Sequence, residues 1–210
     1  MDSRDTDRMS ESRWSAATGG RGADGYNERF AALAAAGADV HGEARLVAAL
    51  APSGAHVLDA GCGTGRVASR LAELGFRCTG VDNDAAMLAL ARESSAEVTW
   101  VLADLLDVGT LDDQFDLVVA AGNVVPLLAA GTEAVVLREL AGRLMPGGLL
   151  VAGFGLDAAH LPLPAAPFGL AEYDGWCAAS GLQLVDRFAT WDRAPYDDGG
   201  YAVSVHRRAV

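Results

Sequence analysis

From position 56 onward, short apolar runs alternate with amphipathic stretches along the chain. His56-Val57-Leu58-Asp59 is a brief apolar run closed by a carboxylate, the pattern of a buried strand. Val67, Leu71 and Leu74 then recur at helical spacing until Gly75 ends the helix. The same alternation repeats. Cys78 to Asp82 reads as a second strand, with Met87, Leu88 and Ala91 as the buried face of the next helix. Val98 to Ala103 is a nearly continuous apolar run, expected to be a third buried strand, and Asp104 stands at its tip. Phe115 to Asn123 gives a fourth strand and its exit. Val136, Leu140 and Leu144 align on a helix predicted over Thr132 to Leu144, and Met145-Pro146-Gly147-Gly148 turns into a fifth strand, Leu149 to Phe154. Tyr173, Trp176 and Cys177 mark a helix around Ala171 to Ser180, stopped by Gly181. Leu182 to Trp191 and Tyr201 to His206 are rich in aromatic and β-branched residues, as strands are. No helix fits the polar loop between them, so this last pair must be antiparallel. Strands regularly separated by helices imply an α/β domain with a mostly parallel sheet.

Ahead of position 56 the pattern is weaker. A helical stretch opens at Tyr26-Asn27-Glu28-Arg29-Phe30 and breaks at Gly37; a second, about His41 to Ala51, shows Leu46, Val47 and Leu50 on one face before Pro52-Ser53-Gly54. Residues 1–24 are rich in Ser, Asp, Arg and Gly, with little apolar material beyond Trp14. They are expected to form a flexible arm, of the sort that can fold over a ligand. The division is then an arm at 1–24 and one domain over 25–210: leading helices 25–51, a core at 55–154, a cover at 155–172, and a helix with hairpin at 173–208. The cover takes in Leu156 to Leu170, which carries His160 and three prolines without periodicity.

At 210 residues and 51% hydrophobic content, one domain with a full core is expected. The net charge of −12 repels phosphate backbones, and no basic cluster longer than Arg207-Arg208 offsets it, so a nucleic-acid partner is not expected. Three scattered cysteines and four unclustered histidines give no metal-ligand spacing. Free thiols, no apolar leader and no long apolar span lead to the expectation of a cytoplasmic protein with no membrane partner. Oligomeric state stays open between monomer and homodimer.

The chemistry gathers behind the first strand, where Asp59-Ala60-Gly61-Cys62-Gly63-Thr64-Gly65 runs into a helix. Glycines let the main chain approach a ligand closely, and a helix start offers unpaired N–H groups. A dinucleotide loop would read G-x-G-x-x-G, but the third glycine position holds Arg66 and Gly65 comes one residue early. Asp59 would also repel a pyrophosphate; a ligand carrying a positive amine suits it better. Asp82, about twenty residues past Gly61, stands where an acid accepts from ribose hydroxyls. Asp59, Asp82 and Asp104 end three successive strands, so all three would meet in one crevice at the carboxyl edge of the sheet.

The D-x-G-x-G-x-G run, the strand-end acids and the Leu-x-Pro-Gly-Gly entry to the fifth strand resemble the class I S-adenosylmethionine-dependent methyltransferases, over about Asp39 to Arg208. The resemblance implies a Rossmann-like, seven-stranded, mostly parallel sheet of order 3-2-1-4-5-7-6, its last strand antiparallel, with helices on both faces. It implies S-adenosylmethionine as cofactor, with S-adenosylhomocysteine as product. The residues expected around it are Asp59, Ala60, Gly61, Cys62, Gly63 and Gly65, then Asn83 and Met87 with Asp82, Leu105 with Asp104, and Ala121 with Gly122. Met87 also reads as helix core. In the family, Asp104 would sit beside the adenine amino group and the Leu105 amide would face the ring.

The segment after the fourth strand narrows the acceptor. Nucleic-acid amino-methyltransferases carry Asn/Asp-Pro-Pro-aromatic there, whereas this chain has Asn123-Val124-Val125-Pro126. The segment holds neither the cysteine that cytosine-C5 enzymes need nor the glutamate pair of protein arginine enzymes. A small-molecule acceptor is the expectation. No catalytic residue can be read from the sequence with certainty: Tyr26, Asn123 and His160 are candidates, Tyr26 reading also as helix packing and His160 as a solvated loop histidine, and no metal is expected. A non-catalytic S-adenosylmethionine-binding module would share these cofactor residues; an NAD-dependent oxidoreductase is the other alternative, and Gly65, Arg66 and the closing hairpin weigh against it.

Overall fold

The computed structural model describes residues 11–19, 25, 32, 35–37 and 39–210. Its strands are β1 (His56–Ala60), β2 (Arg77–Asp82), β3 (Thr99–Leu102), β4 (Phe115–Ala120), β5 (Leu144–Gly155), β6 (Leu182–Phe188) and β7 (Tyr201–Arg208). They form one sheet of order β3-β2-β1-β4-β5-β7-β6. β1 to β5 run parallel; β7 lies antiparallel to both β5 and β6.

Side-chain parity along the central strands builds two hydrophobic layers. Leu58, Val118, Ala120, Leu150 and Ala152 face one side, under the helices Glu133–Arg143 and Leu170–Ala179. Val57, Leu117, Val119 and Val151 face the other, under the helices Gly42–Leu50 and Arg66–Glu73. Because side chains alternate with a period of two, a continuous apolar run such as Leu117–Ala120 of β4 must be covered on both faces. Each fully buried Leu or Val here contributes about 1.5–3 kcal/mol.

The third strand departs from expectation. β3 is the sheet edge, with Thr99 exposed and Leu102 56% exposed, so its apolar run is half covered rather than buried. β5 is longer than predicted. Its first residue, Leu144, pairs with Phe115, and Leu149 pairs with Leu117, so Met145-Pro146-Gly147-Gly148 loops out within the strand instead of preceding it. The predicted strand to Trp191 ends at Phe188, and the following loop folds back through a Phe188–Pro195 bridge. Within the expected arm, Arg13–Thr18 forms a helix.

Candidate functional site

β1, β2 and β4 all end at one edge of the sheet, and there the chain leaves a cavity. Asp59, Asp82 and Asp104 line it together, as the strand order requires. Their neighbours complete much of the predicted set: Gly61, Cys62 and Gly63 from the glycine loop, Asn83 and Met87 after β2, Leu105 after β3, and Ala121 with Gly122 after β4.

The loop's own hydrogen bonds show what it can hold. The Gly61 and Cys62 amides both donate to the Val81 carbonyl, at 2.8 and 3.0 Å. The Gly65 amide donates to the Cys62 carbonyl at 2.9 Å, and the Gly63 amide to Asp82 Oδ2 at 2.8 Å. These four N–H groups are therefore turned inward. A pyrophosphate would meet carboxylates instead of a nest of amides, which is the reverse of a dinucleotide site. Gly63 takes φ +54°, and a Cβ there would meet nothing nearer than the Met87 sulfur at 4.0 Å, so its main chain borders open space.

Each acid is fixed by backbone donors. The Ala68 amide donates to Asp59 Oδ2 at 3.1 Å; Asp59 is buried, and burial lifts its carboxyl to about 7. Asp82 also accepts from the Asp84 amide at 2.9 Å; burial raises its pKa while these amides oppose the rise. Asp104 accepts from the Leu106 amide at 2.9 Å and from Asn83 Nδ2 at 3.2 Å. Arg66 also lines the cavity and grips Glu43 through both guanidinium nitrogens.

Two predicted residues stand apart from the cavity. Ala60 is buried in the core of β1. Gly65 sits at φ +81° where a Cβ would lie 2.4 Å from the Trp100 ring, so glycine there admits the indole as well as the turn. The catalytic candidates stand apart too. Asn123 donates from Nδ2 to the His160 carbonyl at 3.0 Å and accepts from the Gly155 amide at 2.7 Å, which ties it to the loop after β5. His160 Nδ1 lies 2.7 Å from Asp157 Oδ1, on the exposed side of that loop. Tyr26 lies outside the described residues. The expected cover does not line this cavity either, because Leu161 and Phe168 turn into the protein and Phe168 packs on Phe154 and Trp176.

Other lining residues escaped the sequence reading: Ser12, Trp14, Leu127, Leu128, Ala129 and Thr132. The last four follow β4, and the rule that ligands sit at strand carboxyl ends could have reached them. Ser12 and Trp14 belong to the arm expected to be able to fold over a ligand, but nothing in its pattern singles out these two residues.

Comparison with known proteins gives a consistent picture. The family described as "Methyltransferase domain" matches residues 57–148. A solved TehB-like SAM-dependent methyltransferase from Corynebacterium glutamicum is 35% identical with a TM-score of 0.80, covering 89% of this chain and 97% of that one. A Mycobacterium tuberculosis methyltransferase is 36% identical over 116 residues, 54% of this chain and 57% of that protein. A trans-aconitate 2-methyltransferase of Delftia acidovorans is 35% identical over 99 residues, 45% of this chain and 36% of that protein. The chain thus spans little more than half, or less, of the curated relatives it matches.

Proposed function

The chain belongs to the class I S-adenosylmethionine-dependent methyltransferases, and we propose that it moves a methyl group from S-adenosylmethionine to a small-molecule acceptor. The observation that carries this is the cavity's donor set: three strand-end acids around a glycine loop whose amides are turned inward. That set suits a cationic, phosphate-free nucleoside. Asp82 would accept from the ribose hydroxyls with its remaining lone pairs, Asp104 and the Leu105 amide would meet the adenine edge, and Asp59 would supply negative charge toward the ammonium. When bound, the cofactor supplies a methyl group already activated for in-line displacement. The protein's part is then mainly proximity and orientation.

Asn123 and His160 are held outside the cavity, which supports an acceptor nucleophilic enough to need no base from these two side chains. Trans-aconitate, in one relative's name, is an anion. In this chain Arg66 is matched by Glu43 and the other lining groups are acidic or uncharged, so we favour a neutral or cationic acceptor. Among the described residues no helix is long and apolar enough to cross a membrane, and all three cysteines are free; both fit a cytoplasmic metabolic enzyme. The test is methyl transfer from labelled S-adenosylmethionine across panels of metabolites, nucleic acids and proteins, read by mass spectrometry. Label in a small molecule supports the proposal. Label in nucleic acid or protein contradicts it, and tight cofactor binding with no turnover would make the chain a binding module.

A further inference from the structure

The helix Arg13–Thr18 has six residues, none of them buried, so neither its length nor apolar packing explains its position. Arg13 does: its backbone amide donates to the Leu128 carbonyl at 3.5 Å, and its side chain makes the remaining contacts. Arg13 Nη1 donates to Glu133 Oε1 at 2.7 Å, to the Leu128 carbonyl at 3.1 Å and to the Pro126 carbonyl at 3.3 Å. The Arg13 side chain is 22% exposed and that of Glu133 only 7%, so the pair is substantially shielded from solvent. Ser12 caps the helix through the Ser15 amide at 3.1 Å. The result is that Ser12 and Trp14, on either side of Arg13, line the same cavity as Asp82 and Asp104.

We propose that Arg13 is a positioning residue: its clasp on Glu133 holds Trp14 as a wall against the ligand in the cavity and sets how fast that ligand leaves. This rests on the cofactor reading above, and Trp14 would present its ring face to a flat base or a cationic centre. The contact is suited to opening. Glu133 is the first residue of its helix, where a carboxylate is favoured even without a partner, and the carbonyls Arg13 grips end the short helix Val124–Leu127. When the arm lifts away, water reaches the guanidinium, the carboxylate and the two carbonyls, so each can be hydrated in the open state. The clasp can therefore break without disturbing the sheet or the strand-end acids.

The test compares wild type, Arg13→Gln, Glu133→Gln and the exchanged pair Arg13→Glu/Glu133→Arg, each with a Trp14→Phe counterpart so that the Trp14 signal is obtained by difference. Without ligand, acrylamide quenching of Trp14 is expected to rise in both single variants. With S-adenosylhomocysteine, stopped-flow dissociation is expected to quicken about tenfold or more in both, and the exchanged pair to recover part of it. Circular dichroism establishes that each variant is folded; if one fails, the other single variant decides. Unchanged quenching overturns the clasp, and increased quenching with unchanged dissociation overturns its hold on the ligand. If wild-type protein fails to bind S-adenosylhomocysteine by calorimetry, the cofactor reading fails with the ligand part of the proposal, while quenching still decides the clasp.

Discussion

At the scale of single residues, three acids share the cavity and differ in how they are held. Asp82 has backbone donors on both oxygens, so Asp82→Asn keeps one acceptor for the loop and loses the charge that would strengthen hydrogen bonds to ribose. We expect the variant to fold and to bind S-adenosylhomocysteine more weakly by about 1.5–3 kcal/mol, measured by calorimetry. Asp59 is different, since its folded pKa is raised by burial to about 7. The fold prefers its protonated form, so the stability it contributes is fully present below about pH 4 and is lost as pH rises to about 7. Asp59→Asn should therefore leave thermal stability unchanged near pH 4 and raise it at pH 8 by something on the order of 2–4 kcal/mol. The identity of these acids was legible in the sequence because each closes an apolar run. Their coupling was not: the Gly63–Asp82 and Ala68–Asp59 bonds depend on how the loop closes in three dimensions.

At the scale of elements, the glycine loop is shaped by packing as much as by its ligand. Gly65 and Gly80 both leave room for Trp100, whose atoms would lie 2.4 Å from a Cβ at either position. Gly65→Ala combines that clash with φ +81° and should cost about 2–4 kcal/mol, read from the urea midpoint. The contact between helix Leu170–Ala179 and the β6–β7 hairpin makes a second prediction. His206 is 1% exposed, 3.4 Å from Asp174, and its pKa is lowered by burial. A depressed histidine contributes stability above its ordinary pKa near 6.5 that is lost as pH falls through the folded value. His206→Phe should then narrow the gap between the urea midpoints at pH 5 and pH 7. Most elements could be read from periodicity because strands buried on both faces and amphipathic helices have distinct repeats. Trp100-Val101-Leu102 is apolar throughout and so reads as buried; edge position is a property of strand order, not of the run itself. Helix Arg13–Thr18 has no periodic signal for the same reason, since Arg13 makes its contacts with Pro126, Leu128 and Glu133, 113 to 120 residues away.

For the whole molecule, a net charge of −12 and an acid-lined cavity act in the same direction, toward cations and away from phosphates. The sheet order places β2, β1 and β4 side by side, so residues distant in sequence share one crevice, and this is why the meeting of Asp59, Asp82 and Asp104 could be read from the chain. The catalytic candidates Asn123 and His160 lie in segments without periodic pattern, and both bond to the loop after β5. The measurement that bears most directly on the account is a calorimetric titration of the chain with S-adenosylhomocysteine and with NAD, repeated at pH 6 and pH 8 in buffers of different ionisation enthalpy. An ammonium brought near Asp59 lowers its pKa, so binding should release a proton and tighten as pH rises through about 7. The account predicts that S-adenosylhomocysteine binds at least about tenfold tighter than NAD, a difference of about 1.4 kcal/mol, with proton release at the lower pH. NAD binding as tightly as S-adenosylhomocysteine, or tighter, would contradict it.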